Sequence, residues 1–74
     1  MYEIKLQYPT RKQFSPSLRY IESVTHCATI DLFLRGIHTS QTSASRIAFE
    51  SERDRTLGIL ILSANPKFTV SIVE

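Results

Sequence analysis

Residues 56–63 read Thr-Leu-Gly-Ile-Leu-Ile-Leu-Ser and decide the fold. Read with a period of two, Leu57, Ile59 and Ile61 point one way and Leu60 and Leu62 the other, so both sides are apolar. Half-buried strands alternate apolar with polar, and a run apolar on both sides belongs to a strand covered twice. The stretch is therefore expected to be a central strand. It runs through a proline turn, Ala64-Asn65-Pro66-Lys67, into residues 68–73, where Phe68, Val70 and Ile72 alternate. Together these segments read as a β-hairpin.

The rest of the chain supplies the other elements. Residues 2–8 alternate cleanly, with Tyr2, Ile4, Leu6 and Tyr8 on one side and Glu3, Lys5 and Gln7 on the other, the signature of a half-buried strand. Ser15-Pro16 reads as a helix start, because serine accepts from a free N–H and proline loses nothing at the first position. Leu18, Ile21, Thr25, Ala28 and Leu32 then form one stripe at helical spacing. Arg35 and Gly36 read as its end, with Ile37 folding back on Leu32. The pattern predicts one long helix over residues 16–35. The β-branched Val24, Thr25, Thr29 and Ile30 support a rival reading, with a break near Cys27 and a strand over 28–34. Residues 38–45, HTSQTSAS, carry five hydroxyl side chains and read as loop. Residues 46–51 alternate weakly and read as a strand, although Ala44, Ile47, Ala48 and Ser51 also fit a helix.

The expected fold is α+β in a single domain over residues 1–74. It has a small antiparallel or mixed sheet of three to four strands in the order β-α-β-β-β, with one long helix on one face. One helix covers one face only. Leaving two or three apolar side chains of 57–62 wet forgoes roughly 1.5–3 kcal/mol each. A second copy of the chain or another protein is the expected cover, and loops 9–14 and 37–45 are the alternative. Leu57, Ile59, Ile61 and Val73 are the candidate partner-binding residues, with polar rim contacts from 51–55.

Composition bounds the chemistry. The chain has 74 residues and one cysteine, Cys27, so no internal disulfide can form. Nine Lys/Arg against seven Asp/Glu give a net charge of +2, too small to argue for nucleic acid. The start, MYEIKLQYP, is too charged for a signal peptide. No apolar run approaches the ~18 residues of a membrane span, so a cytoplasmic protein, or one made inside a host cell, is expected. Adjacent His26 and Cys27 point about 100° apart on a helix and cannot easily share an ion with His38. Glu50, Glu52 and Asp54 interleave with Arg53 and Arg55 and read as a solvated tip. Gly36 and Gly58 are the only glycines, so no phosphate loop exists. No catalytic residue, metal or cofactor is expected.

Residues 40–47, Ser-Gln-Thr-Ser-Ala-Ser-Arg-Ile, are similar to the start of a recognition helix in helix-turn-helix repressors. With Gly36-Ile37 before them and a hairpin after, they resemble small phage repressors of the Cro type. The resemblance spans about a dozen residues. It departs from the pattern in an over-long preceding helix and a wide turn. It implies DNA binding through Gln41, Ser43 and Arg46, with the cations Arg11 and Lys12 on phosphates. The two readings part over residues 41–50: a helix there favours DNA, a strand favours protein contact.

Overall fold

The computed structural model describes residues 2–9 and 16–73. Six elements follow in the order β1 (Tyr2–Gln7), α1 (Leu18–Leu34), β2 (Thr39–Ser43), β3 (Arg46–Phe49), α2 (Glu52–Leu62) and β4 (Thr69–Val73). The strands make one antiparallel sheet in the order β2-β3-β1-β4. This is the split β-α-β arrangement, in which each crossover skips one strand position. The α+β class, the four-strand sheet and the long first helix stand as expected.

The register divides the sheet into two faces. Tyr2, Ile4 and Leu6 share a face with Ile47, Phe49, Val70 and Ile72, their directly paired partners. Ile4, Leu6, Ile47 and Phe49 are buried in one cluster with Ala28 and Leu32 of α1 and Leu62 of α2. Both helices therefore lie on this face. The other face carries Glu3, Lys5, Gln7, Ser40, Arg46, Ala48, Thr69, Ser71 and Val73.

α1 starts two residues later than expected. Its cap is Ser17, whose Oγ accepts from the Tyr20 N–H at 3.1 Å. The expected cap, Ser15, lies outside the described residues, as do Arg11 and Lys12. The helix continues through Leu34, so the rival strand over 28–34 is not formed. The end follows the sequence reading. Gly36 takes φ +86°. Its N–H reaches the Phe33 carbonyl and the Ile37 N–H reaches the Leu32 carbonyl, both at 3.0 Å. That pair of bonds is the Schellman motif.

Residues 56–63 are the main correction: 56–62 are the last turns of α2 and Ser63 is its C-cap, not a strand, so the hairpin over 56–73 does not exist and β4 pairs with β1 instead. The order is thus β-α-β-β-α-β. The cause lies just upstream, in the end of the expected strand 46–51 and the charged stretch expected to be a solvated tip. Ser51 accepts from the Asp54 N–H at 3.1 Å, and Glu52 and Asp54 place negative charge in the first turn. A capped, acid-led start followed by Leu57 and Leu62, good helix formers, outweighs the period-two pattern. Likewise residues 39–43 are strand rather than loop, polar because they form a sheet edge.

Two details fix the packing. Gly58 faces Phe49 so closely that a Cβ there would stand 2.5 Å from Cζ of the ring. Thr25, fully buried, donates to the Ile21 carbonyl at 2.9 Å and meets the Tyr8 hydroxyl at 3.3 Å. Tyr8 joins Phe68 edge-to-face at 5.7 Å and so ties the end of β1 to α1 and to the entrance of β4.

Two predictions follow from this packing. Ala favours a helix over Gly by about 1 kcal/mol, yet Gly58→Ala should destabilise by about 1–3 kcal/mol through overpacking on Phe49; urea unfolding measures it, and a stabilised variant would show that α2 does not rest on that ring. Burial raises the Tyr8 pKa above 10.0, the neighbouring Tyr20 adds to the rise, and the Thr25 hydrogen bond opposes it. A raised pKa means that folding favours the protonated phenol. Stability from Tyr8 is then complete below the unfolded-state pKa of about 10 and is lost as pH rises through the folded value. Unfolding curves for the wild type and Tyr8→Phe should therefore converge as pH rises above about 10, and parallel curves would contradict the assignment.

Candidate functional site

The four expected partner-binding residues are not brought together. Leu57, Ile59 and Ile61 are on α2, while Val73 is in β4, paired with Glu3 on the opposite sheet face. Ile59 and Ile61 are partly buried against the core, and Leu57 is exposed. The sheet's second face is polar, so it lacks the apolar surface expected of it. The apolar excess of residues 57–62 falls instead around the circumference of a helix.

That helix has an outer side. Gly58 and Leu62 are buried against the sheet, whereas Leu60 is 68% exposed. On α1, Leu32 is buried while Ile30, Phe33 and Leu34 are exposed, Leu34 to 77%. Positions 30, 33 and 34 are neighbours on a helix surface, as are 57 and 60. Since both helices cover the same sheet face, both present exposed leucines away from it. The sequence carried this signal. Leu32, Phe33 and Leu34 are consecutive, and three consecutive helical positions span about 200°, too wide to face one core. Period-two reading puts Leu60 on one side of a strand; on α2 it falls on the outer side of the helix.

The DNA-contact candidates also land differently. Residues 41–50 contain strand residues of β2 and β3, joined by a turn, and no recognition helix. Gln41 is tied inward, its Nε2 donating to the Glu22 carbonyl of α1 at 3.3 Å. Ser43 pairs with Arg46 across the β2–β3 hairpin. Arg46 stands directly opposite Lys5 on the polar sheet face, both exposed. Glu3, one step along, accepts from Thr42 Oγ1 at 2.9 Å. The open face thus holds two adjacent cations among hydroxyl and amide side chains. None of its residues on β1 and β3 is aromatic, so bases would find no stacking platform there.

The remaining chemistry-bearing groups are scattered. Cys27 is exposed. The His38 ring meets Phe33 edge-to-face at 6.1 Å. Among the described residues, no three His, Cys, Asp or Glu side chains gather as metal ligands. Glu52 and Asp54 serve the start of α2, and Glu52 approaches Arg55 at 3.9 Å. The Arg55 guanidinium lies 5.2 Å from the centre of the Tyr2 ring. A shallow cavity of about 530 Å³ lies beside Phe33, His38, Thr39, Ser40 and Glu50. No helix among the described residues is long and apolar enough to cross a membrane.

No family model, curated protein or solved structure matches the chain.

Like charges directly opposed across strands are destabilising. Lys5→Glu should therefore raise stability by about 0.2–1 kcal/mol at low salt through an ion pair with Arg46. The gain should shrink in 1 M salt, where screening acts over about 3 Å. Urea unfolding at the two salt concentrations checks this, and a salt-independent loss of stability would contradict the register.

Proposed function

We propose that this protein is a small, non-enzymatic regulatory or inhibitory module that works by protein–protein contact through the outer surfaces of its two helices. The observation that carries this reading is the apolar character of α2 all the way round from Leu57 to Leu62. A helix apolar on every side belongs in a buried setting. Here the sheet takes one side only, and Leu60 stays in solvent. The last turn of α1 repeats the pattern with Phe33 and Leu34. Fully burying a leucine or phenylalanine is worth roughly 1.5–3 kcal/mol, so a few such side chains can anchor a complex. The weak net charge and the hairpin at residues 39–49 favour protein contact over DNA.

The experiment uses a double variant, Leu34→Lys with Leu60→Lys. Both side chains are solvent-exposed, so far-ultraviolet circular dichroism and urea stability should be unchanged. Partners captured from source-cell lysate, with nuclease present, should be depleted at least tenfold relative to the wild type. Equal capture by both would remove the helix surface as the functional one. Capture abolished by nuclease would return the question to nucleic acid.

A further inference from the structure

The sheet has two edges, and they are built differently. At the β2 edge the register shifts between Gln41 and Ser43, and the Gln41 side chain is hydrogen-bonded to α1. A break in register of this kind makes an edge a poorer template for pairing. The β4 edge has neither. Its five residues, Thr-Val-Ser-Ile-Val, pair with β1 in unbroken register from Thr69↔Gln7 to Val73↔Glu3. It contains neither a charge nor a proline, the residues by which edge strands are protected. Among the described residues no strand lies on its outer side. Its alternate backbone N–H and C=O groups therefore point outward without a strand to meet them. Ile72, on the helix-covered face of the sheet, is still 50% exposed.

We propose that the β4 edge is a self-association site, pairing antiparallel with β4 of a second copy of the chain about a two-fold axis at Ser71. The strand pattern supplies the complementarity. With Ser71 opposite Ser71 of the second copy, all five residues are matched. Val70 faces Ile72 of the second copy, and Ile72 faces its Val70. Both of those contacts fall on the helix-bearing side, where Ile72 lacks cover. Thr69 meets Val73 on the other side, and no charge opposes a like charge anywhere in the strand. Such a contact is isologous and closed, so it stops at a dimer rather than growing into fibres. The result is one continuous eight-stranded sheet with four helices on one side. The contact does not involve Leu34 or Leu60, and it would present two copies of the helix surface to a bivalent partner.

Directly opposed residues of antiparallel strands have Cα atoms about 4.5–5.5 Å apart, within disulfide range. In a Cys27→Ser background, Ser71→Cys should therefore form a covalent dimer under mild oxidation at least tenfold faster than Ser40→Cys on the other edge. In sedimentation at tens of micromolar, the wild type and Leu60→Lys should both be dimers. Ile72→Lys should be a monomer with an unchanged circular dichroism spectrum. Equal cross-linking rates at the two edges, or a monomeric wild type, would overturn the proposal. A dimer lost in Leu60→Lys and kept in Ile72→Lys would place self-association on the helices instead. Should Ile72→Lys fail to fold, the cross-linking comparison still decides. Loss of partner capture by the Leu34 and Leu60 variant, with cross-linking intact, separates the two surfaces.

Discussion

The place of α2 depends on one contact, Gly58 against the ring of Phe49. Phe49 is almost fully buried, at the end of β3, only three residues before the helix begins. The chain must leave the sheet, cap a helix at Ser51 and bring its second turn back onto the ring it has just passed. Only a residue without a side chain allows so close an approach at that point. With α2 held there, Leu62 completes the cluster over Ile4 and Leu6, and the chain can return through Phe68 to lay β4 beside β1. The central position of β1, paired on both sides, follows from the same return.

The opposite end is secured by polar means. Thr25 is buried within α1, and its hydroxyl is satisfied by its own helix and by Tyr8. A buried hydroxyl without partners costs on the order of 1–3 kcal/mol, so this arrangement turns a liability into a fixed orientation of α1 over the end of β1. The apolar cluster thus takes up Ala28 and Leu32 of α1 and Leu62 of α2, while the hydrogen bonds at Thr25 orient α1 at the far end of β1 from Gly58.

Much of this was legible in the sequence. The alternation of residues 2–8, the stripe from Thr25 through Ala28 to Leu32 and the Gly36 cap each depend on local chemistry, and each stands in the structure, whereas Leu18, expected on the same stripe, is exposed in the first turn of α1. The failure at 56–63 has a definite cause. A short apolar run fits a buried strand or a helix equally well by periodicity, and only its flank can decide. The flank was informative: Ser51, Glu52 and Asp54 are a cap and two dipole-favoured acids, and Arg55, Gly58, Ile59 and Leu62 fall at helical spacing. Residues 39–43 were obscured for the opposite reason. An edge strand needs little apolar character, because its partner supplies the hydrogen bonds and solvent takes one side. Residues 57–62 carry more apolar surface than the sheet covers, since Leu57 and Leu60 stay exposed, but a helix spreads that surface around a cylinder where a strand would divide it between two faces.

The claim on which the surfaces depend is that residues 52–62 are a helix resting on Phe49. The most direct measurement is the nuclear Overhauser spectrum of the protein in solution. A helix resting on that ring gives strong cross-peaks between the Phe49 ring protons and the Gly58 α-protons, with sequential amide–amide contacts running from Glu52 to Leu62. Cross-strand contacts between residues 57–62 and residues 68–73, with no Phe49–Gly58 cross-peak, would contradict it and restore a hairpin in place of α2.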